Sequence, residues 1–107
     1  MPKTLYQLAA LDAERAAAHK RYLEFLRVPA ISAGLYVLDA EAEDQQQPHA
    51  EDEIYYVLRG RAHMRVAEQD FAVEPGQLIF VPAHAEHRFH SIREPLQLLV
   101  VFAPAES

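Results

Sequence analysis

The stretch Pro48-His49-Ala50-Glu51-Asp52-Glu53-Ile54-Tyr55-Tyr56-Val57-Leu58-Arg59-Gly60 decides how this chain folds. Pro48 opens it and Gly60 closes it, in what reads as a turn. The β-branched and aromatic residues between them favour an extended strand over a helix. Side chains alternate along a strand, so His49, Glu53, Tyr55 and Val57 point one way and Ile54, Tyr56 and Leu58 the other. Both faces are apolar beyond Glu53, although an antiparallel strand usually leaves one in water. The outer face therefore calls for a cover. The N-terminal helix or a second copy of the chain would serve, and a two-fold homodimer is the expectation.

The pattern repeats outward from this strand. Pro29, Gly34, Pro48, Gly60, Pro75-Gly76, Pro82, Pro95 and Pro104 punctuate the chain at short intervals. Strand-like runs lie between them: Tyr22–Val28, Ile31–Leu38, Glu53–Arg59, Ala62–Ala67, Phe71–Val73, Gln77–Val81, His87–Ile92 and Leu96–Phe102. Many short strands joined by turn residues indicate an all-β antiparallel sandwich or barrel. Residues 1–21 read instead as an alanine-rich helical extension, with Thr4 and Gln7 spaced as a capping box and Leu5, Leu8 and Leu11 on one face. Asp12 could equally cap a shorter helix. With 107 residues and no linker, the chain is one domain, its barrel spanning 22–103.

Composition removes several function classes. Half the residues are hydrophobic and 24% are charged, enough apolar surface to build a core. The absence of cysteine excludes disulfides, thiolate metal sites and cysteine nucleophiles. The serines Ser32, Ser91 and Ser107 lie in no nucleophile elbow. A formal charge of −6 without a clustered basic face argues against nucleic acid, and Arg59, Arg61 and Arg65 read as a solvated strand face. The longest apolar run, Leu98–Ala105, is interrupted by Pro104 and is far too short to span a bilayer. The first twenty residues lack the apolar stretch of a signal peptide, so a cytoplasmic location is expected.

What remains is histidine and carboxylate. His49 and Glu53 share a side of one strand, while His84, His87 and His90 follow Pro82 into another. Two neutral imidazoles and one carboxylate converging inside a barrel make a metal site with open coordination positions. An inward carboxylate costs several kcal/mol unless it is paired or metal-bound.

Here the sequence resembles the cupin superfamily, in its small single-domain form (monocupin, cupin 2 type). His49, three residues, Glu53, six residues and Gly60 are similar to the first cupin motif. Gly76, five residues, Pro82, His84 and His87 are similar to the second. The resemblance implies a double-stranded β-helix, or jelly-roll barrel. It also implies that His49, Glu53 and His87 occupy three of four metal-ligand positions. The motif's other histidine falls on Gln47, which could ligate through its amide oxygen. The motif's glycine falls on His84, a second reserve ligand. One divalent ion is implied, iron first, with manganese, nickel or zinc as alternatives.

Parity carries the site further. Tyr55 and Val57 continue inward from Glu53, and Phe89 and Ser91 from His87, with Leu96, Leu98, Val100 and Phe102 lining the C-terminal strand. Tyr55 is placed to donate a proton or orient a ligand. His63, His90 and His19 point elsewhere. Residues 39–58 hold seven acids and no Lys or Arg, which disfavours anionic substrates. The expected activity is a metal-dependent dioxygenase reaction on a small organic molecule. The rivals are a non-enzymatic barrel that binds or senses a small ligand, a metal-dependent isomerase or lyase, and a metal-free barrel.

Overall fold

A computed structural model describes residues 2–107; residue 1, the first of the expected helical extension, lies outside the described residues. The elements run α1 (Leu8–Ala17), β1 (Tyr22–Val28), β2 (Ile31–Leu38), β3 (Asp52–Val66), β4 (Gln69–Val73), β5 (Leu78–Val81) and β6 (His87–Ala103). All strand pairs are antiparallel, in the order β1-β2-β6-β3-β4, with β5 on β3. The all-β barrel expected from the turn spacing is present.

Two turns expected in the sequence are bends instead. Gly60 is expected to end a strand, yet β3 runs through it for 15 residues, and β6 runs past Pro95 for 17. The β3–β6 register slips between Val57 and Arg59, Arg59 and Arg61, and Arg61 and His63. Gly60 has φ +104°, and a Cβ there would strike the Pro95 carbonyl and lie 2.8 Å from the Leu96 Cα. Glycine stands here because a neighbouring backbone passes too close for any side chain. Gly60→Ala should therefore cost about 2–4 kcal/mol, from backbone strain together with overpacking. A lowered denaturant midpoint at unchanged slope is the expected reading.

The bulges also reset parity. In β3 the buried positions are Glu53, Tyr55 and Val57 before the bend, then Ala62, Met64 and Val66 after it. In β6 they are His87 and Phe89, then Ile92. Ser91, expected to point inward, is exposed with φ +52°, and Ile92 takes the inward place. The core closes around Leu38, Tyr55, Val57, Met64, Phe89, Ile92, Leu96 and Leu98.

The helix is shorter and looser than its sequence suggested. It starts at Leu8, with Gln7 at the N-cap making no side-chain cap bond, so the Thr4/Gln7 capping box does not form. Asp12 pairs with Arg15 at 3.0 Å rather than capping. Leu5 and Leu8 are exposed, no helix residue is buried, and Tyr6 packs on Phe25 at 4.9 Å between ring centres. The helix lies against β1 and β2, which leaves the outer face of β3 and β5 bare. Ile54, Tyr56, Leu78 and Phe80 stand there 44, 38, 71 and 59% exposed, paired across the strands as Ile54 with Phe80 and Tyr56 with Leu78. Among the described residues, no helix is long and apolar enough to cross a membrane.

Candidate metal centre

The entry to β3 and the entry to β6 are tied together by backbone. The His84 N–H donates to the His49 carbonyl at 2.6 Å, and the Ala83 N–H donates to Asp52 Oδ1 at 2.9 Å. Glu53 pairs with Val81 on one side and Phe102 on the other, so its side chain enters the interior between two strands. Strand pairing thus brings His49, Glu53 and His87 to one point. These three offer ligand atoms all within 4.8 Å of one another. Glu53 Oε1 lies 3.2 Å from His87 Nε2 and 3.9 Å from His49 Nε2, and the two imidazole centres are 5.2 Å apart.

Burial makes this cluster chemically unusual. The side chains of Glu53 and His87 are essentially inaccessible, and that of His49 keeps 19% exposure at the rim. Both Glu53 oxygens and His87 Nε2 lack a directed hydrogen-bond partner, their 3.2 Å contact being one of charge. Buried polar atoms are ordinarily satisfied. Orphaned acceptors converging on a single point are what a cation coordinated from several sides would use, and the residues fit a metal on that ground.

The His87 tautomer is set locally. Its Nδ1 faces the Ala85 carbonyl at 3.0 Å, which takes the Nδ1 proton and frees Nε2 toward Glu53. Burial pulls its pKa down, but contact with Glu53, the Ala85 carbonyl and the charges of Glu53 and Asp44 outweigh burial, so the net shift is upward. A raised folded value means that the proton stabilises the fold fully below the unfolded value of about 6.5. That contribution disappears as pH climbs through the higher folded value. Protein freed of metal by a chelator should therefore lose thermal midpoint as pH rises from about 6.5 through the raised folded value of His87.

A neighbouring network holds a residue that the sequence reading passed over. Gln46, not Gln47, faces the cluster. Its amide oxygen accepts the Tyr55 hydroxyl at 2.9 Å and lies 3.5 Å from His49 Nε2, while its amide nitrogen donates to Asp44 Oδ2 at 3.0 Å. Asp44 is 5% exposed and also accepts the Tyr36 hydroxyl and the Phe89 N–H, both at 2.8 Å. With both ends of the amide fixed, the Gln46 oxygen is held on the His49 side of the cluster. Gln47 is exposed and lines a second cavity, which it shares with Gln46, His87, Arg65 and Arg88. Motif spacing points to Gln47, but residues 46–49 lie outside any strand, so spacing alone does not choose which of Gln46 and Gln47 turns to the cluster.

The other expected residues fall as follows. Tyr55 is fully buried beside His87, and burial, then the charge of Glu53, pushes its hydroxyl well up, so it stays protonated. His84 is exposed, with φ +67°, and contributes backbone rather than a ligand atom to the cluster. His63 and His90 stack on the outer face at 5.5 Å, His90 also contacting Asp70 at 2.9 Å, and His19 is exposed beyond the helix. The cluster opens into a cavity of about 200 Å³ lined by Tyr22, Tyr36, Val100, Phe102 and Glu106. The Tyr22 hydroxyl is buried without a partner, and burial, then the charges of Glu106, Glu24 and Glu53, holds it protonated. Gly34 makes room for that ring, since a Cβ there would strike it.

Residues 34–102 match the Cupin_2 family, the cupin domain. The chain belongs to the cupin family. A protein of Streptomyces coelicolor is 49% identical to this cupin over 102 residues, covering 95% of this chain and 97% of the other. Among solved structures, TT1209 from Thermus thermophilus superposes with TM-score 0.75 at 27% identity, covering 96% of this chain and 99% of that one. An RmlC-like cupin from Shewanella frigidimarina gives 0.72 at 24% identity, over 78% and 75% of the two chains. The double-stranded β-helix and the small cupin domain expected from the two motifs are thus borne out.

Proposed function

We propose that this cupin holds one divalent transition metal between His49, Glu53 and His87 and uses it on a small, uncharged organic molecule. Oxygen insertion is the proposed reaction and iron the first metal, ahead of manganese, nickel and zinc. The observation that carries the reading is the orphaned set of Glu53 oxygens and His87 Nε2, buried beside His49. When bound, a metal held by two histidines and one carboxylate leaves positions open for substrate or dioxygen.

The chain's own residues shape the rest. Ala85 fixes His87 for ligation, and Tyr55 with Asp44 aims the Gln46 oxygen inward. Tyr36, Val100 and Phe102 give the cavity apolar walls, and Tyr22 adds one unpartnered donor, the usual make-up of a small-molecule site. Tyr22 and Tyr55 both stay protonated, so each serves as a hydrogen-bond donor to a ligand or its neighbours rather than as a base. The cavity lining contains Glu53 and Glu106 but no Lys or Arg, which favours uncharged over anionic ligands.

Elemental analysis of untagged protein tests the metal directly. Near-stoichiometric metal is expected, lost in His49→Ala and His87→Ala. A wild-type protein that arrives empty and refuses iron, nickel and zinc would sink the reading. Oxygen consumption across thiols, catechols and enediols then separates an oxygenase from a binding barrel, for which no substrate in the panel would draw oxygen.

The bare apolar face of β3 and β5 bears on assembly, and we propose a homodimer formed through it. Ile54, Tyr56, Leu78 and Phe80 carry no charge, and a two-fold axis sets this patch against itself. Sedimentation should give a dimer at micromolar concentration and a monomer for Phe80→Glu. A wild-type monomer refutes the dimer.

A further inference from the structure

The last residues of the chain do not trail from the barrel. The Ala105 N–H donates to the Pro29 carbonyl at 3.3 Å, and the Glu106 N–H donates to the buried Ser32 Oγ at 2.9 Å. Arg27 donates to the Glu106 carbonyl at 2.6 Å, and the Ser107 N–H donates to the buried Glu51 at 3.1 Å. These four bonds seat one side chain at the mouth of the cavity. Glu106 lines that cavity, with its Oε2 3.5 Å from His49 Nδ1.

The two histidines of the cluster are supported differently. His87 gives its Nδ1 proton to a backbone carbonyl. His49 has its Nε2 turned toward Glu53 and the Gln46 oxygen, and its Nδ1 lies 3.5 Å from the Glu106 carboxylate. An isolated neutral imidazole has no such preference built in, and a ligating histidine is held in one tautomer by whatever takes its second proton.

We propose that Glu106 is a positioning residue of the metal centre, its carboxylate taking the Nδ1 proton of His49 and leaving Nε2 free to ligate. The proposal rests on the metal reading above for its purpose, but not for its detection. The 3.5 Å separation is one small side-chain rotation from a direct hydrogen bond. Such a rotation is available because the anchors hold the backbone of residues 105–107 and leave the Glu106 side chain free to turn. The strap also ties site geometry to the β1–β2 hairpin through Arg27, Pro29 and Ser32, a region remote in sequence from either cluster of histidines.

The test uses the full chain, metal-free and labelled with ¹⁵N-histidine, at a pH where both imidazoles are neutral. Long-range proton–nitrogen correlation reads each tautomer. In wild type, His49 and His87 should both carry the proton on Nδ1. Glu106→Ala should move the His49 proton toward Nε2, whereas Glu106→Gln, which keeps an acceptor oxygen, should hold it on Nδ1. His87, set by Ala85, should stay unchanged in both and so reports an intact fold. Zinc titration of the same proteins should show affinity about 10–100-fold weaker for Glu106→Ala, with most of it restored in Glu106→Gln. An unchanged His49 tautomer in Glu106→Ala, with zinc bound as in wild type, overturns the role of Glu106 and leaves the metal reading standing. A wild type with the expected tautomers that takes up no metal overturns the metal reading and the positioning role with it.

Discussion

Glu53→Gln should abolish metal uptake while making the metal-free protein more stable at a pH high enough to leave His87 neutral. The reason is the state of Glu53 without metal. Its side chain is 1% exposed and neither oxygen has a directed hydrogen bond. Once pH exceeds the raised folded value of His87 its imidazole is neutral, which leaves Glu53 buried without a cationic partner. A buried charge without a partner carries a desolvation cost that a neutral group of the same shape largely avoids. At pH 5.5 the sign reverses. His87 is then protonated 3.2 Å from Glu53, and Gln removes one member of a buried pair, so the variant should be the less stable protein. Chemical denaturation of chelated wild type and variant at both pH values checks this, with metal content read on the same preparations. A variant that is less stable at both pH values and still binds metal would make Glu53 an ordinary structural residue. The predicted crossover is the mark of a site whose stability is sacrificed for function.

Much of this was legible before the structure. Alternation from His49 through Glu53, Tyr55 and Val57 predicted the buried face, because a strand has period two and Pro48 and Gly60 bound it. The same rule placed Leu96, Leu98, Val100 and Phe102 inward, and all four are buried. It failed wherever the backbone breaks that period. Ser91, at φ +52°, turns outward and passes the inward place to Ile92. Gly60 has the composition of a turn and the geometry of a bulge; a positive φ is common to both, so the residue type alone does not choose. Glu106 was beyond a parity argument altogether, since its position depends on bonds to Arg27, Pro29 and Ser32 that no local pattern announces. The uncovered face of β3 was foreseen, and of its two expected covers the helix lies on β1 and β2 instead.

The second large effect is expected inside the polar segment Asp44-Gln45-Gln46-Gln47. Asp44→Ala should destabilise the protein by about 2–5 kcal/mol, because it strands two buried donors at about 1–3 kcal/mol each. Those donors are the Tyr36 hydroxyl and the Phe89 N–H, and they reach Asp44 from β2 and β6. One carboxylate therefore fastens this loop to two strands of the barrel. For a domain whose whole stability is about 5–15 kcal/mol, the loss should lower the thermal midpoint by roughly 10–30 °C. The same change frees the Gln46 amide nitrogen, so its oxygen is no longer aimed at the His49, Glu53 and His87 cluster. Metal affinity should then fall as well, even though no ligand in that trio has been altered. Gln46→Leu separates the two roles, since it leaves Asp44 bonded to Tyr36 and Phe89 while removing the aimed oxygen. It should weaken metal binding with a smaller stability loss than Asp44→Ala, since it strands one buried donor, the Tyr55 hydroxyl, rather than two. If Asp44→Ala melted within a degree or two of wild type, the loop would be a solvated connection after all. Gln46 would then have no fixed direction in which to serve the site.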